Sequence, residues 1–134
     1  MRQALVVLAV LVALTAVATA GAATATLPGT YTTTITGKQP AALNGEWAIA
    51  IEKNGDYVIL KRISKTQGRV EVRGKALLNP KHVVTFTKEK GPLACKVVGK
   101  YRWTITGKRL TFARLHDTCG GRPLVLGGIF KRVA

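Results

Sequence analysis

From residue 29 onward, short segments rich in β-branched and aromatic side chains alternate with glycine, proline and asparagine turns at close spacing, and that rhythm restricts the chain to antiparallel β-structure. The clearest marker is Asn54-Gly55. It separates an alternating run, Trp47, Ile49 and Ile51 against Ala48, Ala50 and Glu52, from a second run that begins at Asp56. Asn-Gly suits a type I′ turn, whose two central residues both need positive φ, so the two runs form a hairpin. Period-two counting gives eight strands, at 29–36, 45–53, 56–63, 69–76, 82–88, 99–106, 109–115 and 129–133. The 69–76 run alternates most strictly, with Val70 and Val72 on one face and Arg69, Glu71 and Arg73 on the other. Pro123 to Leu126 has room for one helical turn at most.

Short connections make sequential strands spatial neighbours. Eight strands in a meander leave two open edges unless the last meets the first. The expected architecture is therefore all-β: an antiparallel up-and-down eight-stranded barrel, just wide enough to be filled by side chains or to hold one small ligand. Trp47, Ile49, Tyr57, Val72, Phe86, Tyr101, Trp103 and Phe112 would line its interior as ligand-binding residues, with Val70 and Val84 beside them.

The first 25 residues read differently. Arg2 precedes an apolar run from Ala4 to Ala18, broken only by Thr15, and Ala18-Thr19-Ala20 and Ala23-Thr24-Ala25 follow. A charged start, an apolar core and A-x-A sites describe a secretory signal peptide, cleaved after Ala20 or Ala25. The run is short for a membrane anchor, which needs roughly 20 apolar residues. The barrel would then be the single domain at 26–134, secreted and free in its extracytoplasmic compartment. A domain of about 110 residues buries roughly two-thirds of its surface on folding, a thin margin.

Cys95 and Cys119 are the only cysteines, and in an oxidising compartment such a pair reads as a disulfide. Closing a loop of about 25 residues constrains the unfolded chain by roughly 3.5 kcal/mol. The bond would join the loop before strand six to the loop after strand seven, which lie at one end of an up-and-down barrel. The competing use is zinc, because His116-Asp117-Thr118-Cys119 offers a ligand pair, which only Cys95 and the distant His82 could complete to the three or four ligands required. The expectation is the disulfide, with no metal and no other cofactor.

The 21 basic and 6 acidic residues give a net charge of +15. Such a field opposes self-association, so a monomer is expected, and it attracts acidic partners such as an anionic envelope polymer or lipid surface. The cations reach no block of five or six, the pattern of a solvated shell. Tyr101-Arg102-Trp103 has the ingredients for stacking nucleic-acid bases. Both aromatics share a face with Ile105, however, so they point into the core, and nucleic acid is not an expected partner. Catalysis finds little to use. Ser64 is the only serine and sits in a turn with no neighbouring histidine, so no catalytic residue is assigned. His116-Asp117 is the nearest approach to a dyad and reads as an exposed loop pair beside the disulfide.

Gly29-Thr30-Tyr31, Gly45-Glu46-Trp47 and Gly99-Lys100-Tyr101 repeat the phrase Gly-x-aromatic. Leu43-Asn44-Gly45-Glu46-Trp47 resembles the G-x-W opening of lipocalins and related calycin barrels. With Tyr101-Arg102-Trp103, Cys95 and Cys119, the mature chain is similar to small secreted bacterial lipocalin-like β-barrel proteins. The resemblance implies a non-enzymatic binding protein holding a small hydrophobic ligand, with Arg132 or Lys131 packed over Trp47. The chain departs from true lipocalins in being shorter and in lacking a T-D-Y motif and a C-terminal helix. The second reading is an interaction or inhibitor module acting through loops and positive charge.

Overall fold

The computed structural model of the chain describes residues 25–38 and 40–134, so the expected leader lies outside the described residues apart from its final position, Ala25. Eight strands form one closed barrel: β1 Gly29–Ile35, β2 Gly45–Ile51, β3 Asp56–Arg62, β4 Gly68–Leu78, β5 Val83–Lys90, β6 Gly99–Thr106, β7 Arg109–His116 and β8 Phe130–Arg132. Each pairs antiparallel with the next, and β8 returns to β1 with Tyr31 opposite Arg132 and Thr32 opposite Lys131. A 3₁₀ turn at Ala41–Leu43 precedes β2, and a short helix, α1 Arg122–Leu126, precedes β8. One end of the barrel carries the β2–β3, β4–β5 and β6–β7 turns together with the segment that leads into β1 (the turn end). The other carries the longer β5–β6 and β7–β8 loops and α1 (the loop end).

The interior is packed with aromatic rings. Phe86 meets Tyr57, Tyr101 and Phe112 edge-on at centroid distances of 5.0, 5.9 and 5.9 Å, and Phe112 meets Phe130 at 5.9 Å. Edge-to-face contact sets the positive rim of one ring against the negative face of the next. Two of the Gly-x-aromatic phrases do the same local job. Gly29 and Gly45 have φ of 154° and 131°, and two residues later the aromatic donates to the carbonyl four residues behind it. Tyr31 Oη reaches Leu27 O at 2.7 Å, and Trp47 Nε1 reaches Leu43 O at 2.8 Å. A positive φ that only glycine adopts freely thus turns the chain into the strand, and the ring's polar tip fastens the bend.

Strict alternation fails at two bulges. On β4, Val72 pairs with Ile59 but Val70 pairs with Leu60, leaving Glu71 as an extra residue. Glu71 is buried, and Val70 shares the outward side of Leu60, so the expected placement of Val70 in the wall and Glu71 in solvent is corrected. On β5, Thr87 pairs with Lys75 and Lys90 with Arg73, so Lys88 and Glu89 together face Gly74. Lys88 takes a left-handed φ of 53°. The inward series Val84, Phe86 would continue to Lys88, but the bulge turns Glu89 inward instead.

Candidate functional site

The loop end is organised around Arg122, the first residue of α1, with Pro123 next to it in the first turn, where its missing N–H costs nothing. The Arg122 side chain is 2% exposed, Glu89 1% and Asp117 0%. Arg122 Nε donates to Asp117 Oδ2 at 2.6 Å, Nη2 to Asp117 Oδ1 at 2.9 Å and to Val97 O at 2.8 Å, and Nη1 to Glu89 Oε1 at 2.8 Å. Two tyrosines complete the cluster from the barrel interior: Tyr57 donates to Glu89 and Tyr101 to Asp117. Main-chain N–H groups reach the same carboxylates: Glu89 Oε2 accepts from Cys95 at 2.7 Å, and Asp117 Oδ1, already bonded by Arg122, accepts from Cys119 at 2.9 Å. Cys95 and Cys119 are disulfide-bonded with Cα atoms 6.0 Å apart.

A buried ion pair persists only when its desolvation is offset by good geometry and saturated hydrogen bonding, and this cluster meets both conditions. Burial and then the Glu89 carboxylate push the Tyr57 phenol far above its ordinary value; burial and Asp117 do the same to Tyr101. Burial alone would raise Asp117, but donation from Arg122, Tyr101 and the Cys119 N–H outweighs it and holds the carboxyl below its ordinary value. Burial likewise opposes the charge on Arg122, and the two carboxylates reverse that and raise it. These four groups therefore keep fixed protonation states through the neutral range. They are suited to holding a shape and an electrostatic field rather than to moving protons.

Above the cluster lies a recess of about 230 Å³ walled by Leu43, Trp47, Ile59, Val72, Leu93 and Val125 and by the disulfide, with Glu89 and Arg122 contributing its polar groups. A guanidinium carries five N–H donors. Four are engaged by Asp117, Val97 and Glu89, and the Tyr57 phenol takes a further hydrogen bond from the same guanidinium. Of the eight interior positions expected from the sequence, all are buried. Only Trp47 and Val72 border the recess. Tyr57, Phe86, Tyr101 and Phe112 pack against one another in the middle of the barrel, Ile49 lies in the same core, and Trp103 borders a separate groove at the turn end.

Three expectations are corrected. Asp117 is not half of an exposed pair with His116: it is buried, and its partners are Arg122, Tyr101 and Cys119. Trp47 is covered by Lys61, whose Nζ lies 5.6 Å from the ring centroid, whereas Arg132 covers Tyr31 at 5.3 Å. The glycine–aromatic–arginine arrangement expected at Gly45-Glu46-Trp47 thus forms at Gly29-Thr30-Tyr31 on the first strand. The third Gly-x-aromatic phrase also differs in role. A Cβ on Gly99 would lie 2.5 Å from Asp117 Oδ2 and 2.6 Å from Arg122 Nη2, so this glycine makes room for the cluster. Glu89 and Arg122 were missed because the bulge inverts the parity of β5 and because Arg122 lies 33 residues away. The available signal was a lone arginine between Gly-Gly and Pro-Leu-Val-Leu, where a solvated cation has little reason to be. The chain matches no known protein-family profile and no curated protein.

Proposed function

We propose that this chain is a secreted, non-enzymatic binding protein of lipocalin-like type whose loop-end recess holds a small, mostly apolar ligand. The observation that carries this reading is the pairing of apolar walls with two rigidly held charged side chains, Glu89 and Arg122, since pockets combine apolar lining with a few fixed polar groups. The recess is smaller than the roughly 300–1,000 Å³ of sites for drug-sized molecules, so the ligand is ring-sized. Native mass spectrometry of the secreted protein, before and after denaturation, tests for a copurified small molecule. Cyclohexanone serves as a defined probe: it should shift the Trp47 indole signal, and Leu93→Trp, which fills the rim, should abolish the shift. No bound mass together with an unmoved Trp47 would sink the reading.

A second reading, adsorption to an anionic envelope polymer, draws on the charge distribution. Glu71, Glu89 and Asp117 are turned inward, while Lys88, Lys90, Lys100, Arg102, Arg109, Arg114 and Lys131 are exposed on β5 to β8 with no exposed acid among them. Salt-dependent retention on polyphosphate, weakened by K100E/R102E, would support it. Salt-independent flow-through would remove it.

A further inference from the structure

The turn end holds a larger groove, about 600 Å³, between the segment Ala25 to Pro28, Lys53 of the β2–β3 turn, Leu78 to Pro80, His82, Trp103 and Arg132. Its walls are mainly apolar, its charged side chains are Lys53 and Arg132, and no acidic side chain lines it. One wall is held in place by Asn79. Its Oδ1 accepts Lys81 N at 2.9 Å and Val83 N at 3.0 Å, and its own N–H donates to Val83 O at 3.0 Å. That loop carries His82 in a left-handed conformation, φ 60°, with its ring stacked on Trp103 at 4.2 Å and 12°. Histidine tolerates this region better than bulkier residues, yet it is an uncommon conformation to hold without a role.

Trp103 supplies the second observation. Its Nε1–H is buried and has no hydrogen-bond partner, the one such side-chain atom among the described residues. Trp47, by contrast, has its indole N–H bonded to Leu43 O. Leaving a buried donor unmade costs about 1–3 kcal/mol, so an acceptor delivered to this indole would recover what the free protein forgoes. The acceptor that the groove's two cations, Lys53 and Arg132, favour is an anion, and the apolar walls call for a hydrocarbon body.

We propose that the turn-end groove is a second ligand site, independent of the loop-end recess, that takes a free amphipathic monocarboxylate. Its oxygens accept from Trp103 Nε1 and pair with Arg132 and Lys53, and its chain lies along Leu27, Pro28, Leu78 and Pro80. Arg132 already donates to Pro28 O at 2.5 Å and covers Tyr31, which fixes its head at the groove while leaving other N–H groups for the ligand.

The two tryptophans make the test direct, because each end of the barrel has one. Octanoate titrated into ¹⁵N-labelled protein should move the Trp103 indole cross-peak downfield and leave that of Trp47 in place. 1-Octanol, with the same chain and no charge, should bind about tenfold more weakly. R132Q should weaken octanoate about tenfold; K53Q, in an exposed turn away from the core, should weaken it about threefold, and an unchanged spectrum elsewhere would show that it folds. A Trp103 cross-peak that stays fixed at saturating octanoate, or that moves equally with octanol, would overturn the proposal. Movement of Trp47 alone would also overturn it, by putting the acid in the loop-end recess and leaving the reading of that recess intact.

Discussion

The two ends of the barrel solve the problem of polar atoms near a packed core in opposite ways. At the loop end the Arg122 guanidinium, the Glu89 and Asp117 carboxylates and the two tyrosine phenols are drawn into one network, and a disulfide closes over it. At the turn end the chain leaves a buried indole donor without an acceptor under a stacked histidine. A saturated cluster rigidifies, whereas an unsaturated one is a reservoir that a ligand can discharge. Stability is therefore concentrated at one rim and unfilled bonding capacity at the other.

The largest way to break this contrast is R122M. It strands two buried carboxylates, and removing one partner of a buried ion pair typically costs about 3–5 kcal/mol. Urea denaturation should show a loss in that range, and a change below about 1 kcal/mol would mean the cluster does not anchor the loop end. The acid limb sharpens the same point. Asp117 is held below its ordinary value of about 4, so its contribution is fully present above that pH. It is lost as pH falls from there through the lower folded value. The wild-type and R122M stabilities should accordingly converge as the pH is lowered toward 3, and a gap that stays constant would contradict the assignment.

Removing the crosslink as C95S/C119S comes next, with an expected loss of about 3 kcal/mol from the freer unfolded chain. The two tryptophans then allow a matched comparison across the ends. W47F gives up a hydrogen bond of 2.8 Å and some buried area, so a loss of about 2 kcal/mol should appear in the same denaturation experiment. W103F loses similar area but also removes an unsatisfied donor, and its cost should stay under about 1 kcal/mol. Equal costs for the two would erase the distinction between a saturated and an unsaturated rim.

What the amino-acid order reveals of this molecule follows from which interactions are local. Asn54-Gly55 and the alternation of Trp47, Ile49 and Ile51 specify a hairpin from neighbouring residues alone, and the observed β2–β3 pairing sets Ile51 opposite Tyr57 as that hairpin requires. Strand closure followed from having no other way to cover two edges. The cluster at the loop end was illegible for two physical reasons. Its members come from β3, β5, β6, the β7–β8 loop and α1, so only the contacts among Asp117, Cys119 and Arg122 are local, and Tyr57, Glu89 and Tyr101 arrive from distant strands. In addition, period-two counting carries a phase, and a bulge shifts that phase by one residue. Both glutamates that the fold buries, Glu71 and Glu89, sit at such shifts. Counted from Val70 or from Phe86 they belong outside. The bulges, which no residue pattern announced, set them inside.

The cysteine amides each hold one of the two carboxylates that Arg122 brings together. If the same contacts form in the reduced chain, one guanidinium would align the two thiols before any oxidant arrives. Covalent closure would then be a late seal on an arrangement that charge had already assembled, and a chain with Arg122 replaced should oxidise more slowly and scatter its sulfurs into intermolecular bonds.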